Sequence, residues 1–173
     1  MDQLKLNVWH FIKIVFCYGT GLRYFAEKFA NPWKRYRRLI DIPVWYMEQM
    51  IIEEGIKTII LDMDGTLKHY RKGLLKENKE WVNEIRKYAK IYIVSNANKG
   101  YTSKVADELR LPYIYKAKKP SSRGFKLVCE RTQCKPSEII VIGDSIKGDL
   151  IGASKFGITK TILLNDLDFI KNK

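Results

Sequence analysis

Thr58-Ile59-Ile60-Leu61 runs directly into Asp62-Met63-Asp64-Gly65-Thr66-Leu67, and this junction decides the fold. The first four residues are apolar or β-branched with no charged break, the pattern of a strand buried on both faces in a parallel sheet. Two carboxylates follow where that strand ends. For both to serve one site the chain must turn at once, and Gly65 gives it the freedom to do so. Loops beyond the carboxyl ends of parallel strands are where α/β proteins hold their ligands.

The same arrangement recurs along the chain. Ser95-Asn96 closes the apolar run Ile91-Tyr92-Ile93-Val94, Lys119-Pro120 follows Tyr113-Ile114-Tyr115, and Gly143-Asp144 closes Ile139-Ile140-Val141-Ile142, with Asp149 five residues on. The spacing predicts strands near 57–62, 91–95, 112–115, 138–143 and 160–164, alternating with helices near 77–89, 100–109, 121–132 and 147–156. Strands alternating with amphipathic helices imply a parallel sheet covered on both faces, and right-handed crossovers narrow the topology further.

Acid pair, hydroxyl, lysine, acid pair, in this order and each after a strand, resembles the haloacid dehalogenase (HAD) superfamily of phosphohydrolases, from about Lys57 to Leu164. The resemblance implies an α/β fold, a Rossmann-like parallel five-stranded sheet with the Asp62 strand at its centre. It implies that Asp62 is the nucleophile that becomes an aspartyl-phosphate. Asp64 matches the general acid and base, with its backbone carbonyl also on the metal, and Thr66 fits the position two residues later. Ser95 matches the hydroxyl that binds a phosphoryl oxygen, joined by backbone N–H groups around Asn96 to Asn98. The lysine directly before Pro120 selects Lys119 as the cation that holds phosphate and steadies the nucleophile, with Lys118 as its neighbouring rival. Asp144, with Asp62 and the Asp64 carbonyl, completes an oxygen-only set suited to Mg²⁺. Asp149 orients a bound water or Lys119 from behind that set.

Many members of the superfamily carry a cap domain over the site. About 24 residues separate Leu67 from Ile91 and about 20 separate Asn96 from Ala117, room for one helix each and not for a cap. The narrower resemblance is to the short capless phosphatases that include the phosphatidylglycerophosphate phosphatases of bacteria and mitochondria. That implies a phosphorylated lipid substrate in phospholipid biosynthesis. This chain departs from the subgroup's usual D-x-D-N-T by Gly65, and from its S-N-N by Ala97.

Residues 1–55 differ from the phosphatase-like domain over 56–173. They hold Trp9, Trp33 and Trp45, helical apolar spacing from Leu4 to Phe16, the basic–aromatic run Trp33-Lys34-Arg35-Tyr36-Arg37-Arg38, and a helix from Val44 to Glu54. Two readings stand side by side. The extension rests on an anionic membrane surface, with Lys and Arg near headgroups and the aromatics at the interface, or its helices pack on the domain as extra core.

The formal net charge is +13, from 32 basic and 19 acidic side chains. Such a balance favours an anionic partner: a lipid phosphate, an acidic membrane or nucleic acid. A nucleic-acid end phosphatase is therefore the second enzyme reading, a broad-specificity phosphatase a third, and a binding protein on a degenerate phosphatase fold the non-enzyme alternative. Three cysteines without C-x-x-C spacing argue against a disulfide framework or a zinc site, and the two histidines, His10 and His69, belong to no ligand cluster. No apolar run is long enough to span a bilayer. The expectation is a cytoplasmic protein, peripheral on the inner face of the membrane.

Overall fold

The computed structural model describes residues 32–69 and 73–165, and all of these but Pro32 belong to one compact unit, Trp33–Lys173. The helical spacing read from Leu4 to Phe16 lies outside the described residues. The elements are β1 (Lys34–Tyr36), α1 (Val44–Glu53), β2 (Thr58–Leu61), α2 (Lys76–Ile85), β3 (Lys90–Val94), α3 (Lys99–Leu109), β4 (Tyr113–Ile114), α4 (Arg123–Thr132), β5 (Ile139–Gly143), α5 (Gly152–Lys155) and β6 (Lys160–Leu164). A π-helical turn, Ile146–Ile151, leads into α5.

Six parallel strands lie in the order β1-β6-β5-β2-β3-β4. β2 sits between β5 and β3, with Leu61 paired to Ile142 on one side and to Ile93 on the other. This register puts the chain that follows β2, β3 and β5 at one edge of the sheet.

Alternation along each strand splits the core into two layers. Ile59, Leu61, Ile91, Ile93, Ile140 and Ile142 pack with Met47 and Met50 of α1, Trp81, Val82 and Ile85 of α2, and Val105 and Leu109 of α3. Ile60, Val94, Ile139 and Val141 face the opposite way, onto Phe125 and Val128 of α4 and Ala153 of α5. All four residues of β2 are buried, which is why that strand reads as an unbroken apolar run and not an alternating one.

The sheet has one strand more than the five expected. Lys34-Arg35-Tyr36, within the basic–aromatic run, pairs in parallel with β6, Tyr36 opposite Leu164. The strand is short, charged and at the edge, so little apolar burial marks it in sequence, and those same features guard an edge against aggregation. Leu39, Ile42, Met47, Met50 and Ile51 share the core of the first layer, and the Trp81 indole N–H donates to the Ile42 carbonyl at 2.8 Å. Cys129 is half-buried and Cys134 buried, both as free thiols. Cys134 falls just beyond α4. Among the described residues no helix is long and apolar enough to cross a membrane.

Candidate active site

β2 delivers Asp62 to the sheet edge, and the turn after it is tied back on itself. The Leu67 and Lys68 N–H groups both donate to the Met63 carbonyl, and the Gly65 N–H donates to the Lys68 carbonyl. Gly65 has φ +90°, and a Cβ there would stand 2.2 Å from Asp144 Oδ2. No side chain fits that space. The glycine thus allows the turn and also lets β5's carboxylate approach the acid pair.

From β5, Gly143 plays a related part, since a Cβ on it would meet Asp149 Oδ2 at 2.3 Å. The π-helical turn swings Asp149 back beneath the strand end, where one carboxylate oxygen accepts from the Ser145 N–H at 3.1 Å. Single π-helical turns of this kind concentrate at functional sites. Ser145 also caps the turn, its Oγ accepting from the Gly148 N–H at 2.9 Å.

Lys119 joins these acids. Its Nζ donates to Asp62 Oδ1 and to Asp149 Oδ1, each at 2.5 Å, with the three side chains only 5%, 10% and 1% exposed. Burial disfavours the Lys119 charge, but Asp149 and Asp62 outweigh it and hold the ammonium above its usual range. Asp149 behaves in the opposite way: burial raises its carboxyl to about 6, with Lys119 pulling it down and Asp62 pushing it up. Lys118 is exposed, so of the two rivals it is Lys119 that the fold brings to Asp62. The reason is Asn96, whose side chain clasps the Lys119 backbone. Oδ1 accepts from the Lys119 N–H at 2.7 Å and Nδ2 donates to the Lys119 carbonyl at 3.0 Å. The Asn96 side chain thus sets the lysine through Oδ1 and one of the two Nδ2 hydrogens.

Ser95 is buried at the end of β3, its Oγ accepting from the Ala97 N–H at 3.1 Å. Asn98 caps α3, accepting from the Tyr101 N–H at 2.9 Å. Thr66 is also buried, and its Oγ1 has no hydrogen-bond partner among the described residues.

Carboxylate oxygens of Asp62, Asp144 and Asp149 lie within 4.8 Å of one another. With Lys119 they form a quartet whose formal charge is −2 when all four are ionised, a complement to a divalent cation. The donors are all oxygens, which fits Mg²⁺ rather than zinc. Both Asp149 oxygens are engaged by Lys119 and Ser145, so Asp62 and Asp144 are the better-placed ligands and Asp149 the group that fixes Lys119.

Three residues here escaped sequence reading. Asn78 is buried on α2, where its Nδ2 donates to the Thr66 and Leu67 carbonyls at 3.0 Å each and pins the acid turn to the helix. The available signal was a polar residue in line with Trp81, Val82 and Ile85 on the apolar face. Lys68 and Tyr101 meet at Asp64: Lys68 Nζ lies 3.1 Å from Asp64 Oδ1, and the Tyr101 hydroxyl lies 3.4 Å from the same oxygen. A cavity of about 330 Å³ opens beside Gly65 and Thr66, with Arg37, Arg38, His69 and Glu77 in its wall.

Comparison with known proteins places the chain in a family. The family model for haloacid dehalogenase-like hydrolases matches residues 71–157, just over half of the chain. The matched span contains Ser95, Lys119, Asp144 and Asp149; Asp62 and Asp64 precede it and are carried to those residues by the fold. The chain is 33% identical over 107 residues to the probable phosphatase YqeG of Bacillus subtilis, a match covering 61% of this chain and 62% of that protein. It thus spans less than two thirds of the curated relative's length. Among solved structures, the cobalt-bound deoxy-D-mannose-octulosonate 8-phosphate phosphatase YrbI of Haemophilus influenzae superposes with TM-score 0.55 at 16% identity, over 69% of this chain and 75% of that one. The magnesium-bound HAD-hydrolase YfnB of Bacillus subtilis gives 0.53 at 14% identity, over 64% and 87%. At these identities the two structures speak for a shared fold.

Proposed function

Because this chain belongs to the haloacid dehalogenase-like hydrolases, we propose that it hydrolyses phosphomonoesters in two steps through Asp62, with Mg²⁺ held by Asp62, the Asp64 carbonyl and Asp144. One observation carries the reading: Lys119 Nζ bridges Asp62 and Asp149 at 2.5 Å beside the Asp144 carboxylate. A bound Mg²⁺ supplies charge screening, without which a carboxylate and a phosphate dianion repel each other.

The rest is work for the chain's own residues. Asp62 attacks phosphorus as the ester bond to the alcohol breaks, and Asp64 gives the departing oxygen its proton. Water then gives a proton to Asp64 and attacks the phosphorus, which releases Asp62 and inorganic phosphate. Lys119 neutralises charge on the phosphoryl group in both steps. Ser95 and the N–H groups after it hold the remaining phosphoryl oxygens.

We further propose a large substrate presented at an anionic membrane surface, of the phosphatidylglycerophosphate kind. Among the described residues one helix lies between β2 and β3 and one between β3 and β4, which favours an uncapped site open to bulky alcohols. β1 carries Arg37 and Arg38 to the catalytic edge, in the wall of the cavity beside Gly65. That cavity suits a leaving alcohol with a second anionic group. On α1, Trp45 and Ile52 are 65% and 71% exposed, apolar surface of the sort that meets an interface.

The test is phosphate release, with and without chelator, from phosphatidylglycerophosphate in vesicles, from 3′- and 5′-phosphorylated oligonucleotides and from sugar phosphates, with Asp62→Asn as the blank. Vesicle lipid is expected to be the best substrate. Preference for oligonucleotides, falling steeply with salt, would favour the nucleic-acid reading instead. No magnesium-dependent turnover of any of them would leave only a binding protein.

A further inference from the structure

Lys68 has no part in the phosphate chemistry above, yet its side chain is only 4% exposed. Burying an ammonium costs several kcal/mol unless partners offset it, on the order of the penalties known for interior ions. Its partners are at the site. Nζ donates to Asp64 Oδ1 at 3.1 Å and to the Tyr101 hydroxyl, and it stands 4.5 Å from the centroid of the Tyr101 ring. The Tyr101 hydroxyl donates to Asp64 Oδ1 at 3.4 Å. Two donors from two parts of the chain, the segment after the acid turn and the first turn of α3, thus converge on a single oxygen of Asp64. Both are themselves anchored. The Lys68 N–H is bonded to the Met63 carbonyl, and the Tyr101 N–H is held by Asn98.

We propose that Lys68 and Tyr101 are positioning residues that hold the Asp64 carboxyl through Oδ1, leaving Oδ2 as the oxygen that passes the proton to the leaving group. The inference rests on the two-step reading above. In the first step an Asp62 oxygen bonds to phosphorus, the phosphorus–alcohol bond breaks with its electron pair on the alcohol oxygen, and the proton on Asp64 Oδ2 moves to that oxygen. In the second step a water proton returns to Oδ2 while the water oxygen bonds to phosphorus and the bond from phosphorus to Asp62 breaks. A carboxyl free to rotate would present Oδ2 only part of the time, and small misplacements of a reacting group are expensive in rate. Lys68 is unlike Lys119, which acts on phosphate whatever the alcohol: it acts only where a proton must be delivered.

This gives a readout that a merely structural lysine would not move. The constant kcat/KM reports the steps up to departure of the alcohol. An alkyl phosphate needs the proton, whereas p-nitrophenyl phosphate expels a stable phenolate and needs it far less. The ratio of kcat/KM for glycerol 3-phosphate to that for p-nitrophenyl phosphate is therefore measured for wild type, Asp64→Asn, Lys68→Met and Tyr101→Phe. General acid catalysis contributes about 10²- to 10⁴-fold, so Asp64→Asn should lower the ratio by about that much. Lys68→Met should lower it by roughly 10- to 100-fold, in keeping with a misplaced rather than a missing acid. Tyr101→Phe, which removes one hydroxyl and keeps the ring, should lower it in the same direction and serves if Lys68→Met fails to fold. A ratio unchanged in Tyr101→Phe and in folded Lys68→Met, or unchanged in Tyr101→Phe where Lys68→Met does not fold, overturns the proposal while leaving the hydrolase reading intact. A wild type inert to both substrates and also to the vesicle lipid, oligonucleotides and sugar phosphates above, with magnesium present, brings down the hydrolase reading and this inference with it.

Discussion

Two buried lysines serve two aspartates that stand two residues apart, and they do so in different ways. Lys119 reaches Asp62 from beyond β4, braced by Asn96 and shared with Asp149. Lys68 reaches Asp64 from its own turn, four residues on, and shares it with Tyr101 of α3. The first pair lies among three carboxylates, where the proposed mechanism would hold a metal and a phosphate. The second lies among the Tyr101 hydroxyl and ring, where the proposed mechanism has the alcohol leave. On the proposed mechanism the contrast divides the chemistry of one short turn, with attack on one side and proton transfer on the other, each carboxylate being held by a different cation.

Asp62→Asn should break the comparison outright: an amide is not a nucleophile, so phosphate release should fall to the rate measured without enzyme. Lys119→Met comes next. Removing one electrostatic stabiliser of the transition state costs about 10²- to 10³-fold in rate, and the loss should be equal for alkyl and aryl phosphates, unlike that of Lys68→Met. Gly65→Ala attacks the boundary between the two halves. Its φ of +90° and the contact at 2.2 Å to Asp144 should cost roughly 1–2 kcal/mol in backbone strain. It should also weaken magnesium binding by about 10-fold or more, the scale seen when the support of a ligand is lost, as titration calorimetry would read. Asn78→Leu leaves the Thr66 and Leu67 carbonyls without their donor, and thermal unfolding should show a loss of about 1–3 kcal/mol. The smallest effect is expected from Arg37→Ala, a several-fold rise in KM for vesicle lipid that exceeds any rise for p-nitrophenyl phosphate.

The legible half of this comparison was the Lys119 half. Runs such as Ile139-Ile140-Val141-Ile142 are apolar on both faces because helices cover both, so five of the six strands announce themselves, and the polar residues that close them mark the catalytic edge. β1 does not, since Lys34-Arg35-Tyr36 buries little and gains its partner only once β6 is in place. Lys68 stayed hidden for another reason. In sequence it is one of many lysines in a chain of net charge +13, and nothing local tells that the acid turn will fold it inward beneath Tyr101, thirty-three residues away. Asn78 had a local signal, a polar residue in an apolar stripe, but its target carbonyls are set by the turn's geometry. The first 31 residues, on which the membrane reading of the extension leans most, lie outside the described residues.

The central claim is that Asp62 takes the phosphoryl group. Acid-quenched single turnovers with a ³²P-labelled phosphomonoester, followed by peptide mapping, test it most directly. Label is expected on the peptide holding Asp62, on the millisecond-to-second scale of turnover, absent from Asp62→Asn and lost again as phosphate is released. Full turnover with no labelled protein at any time, or label on a residue other than Asp62, would contradict it.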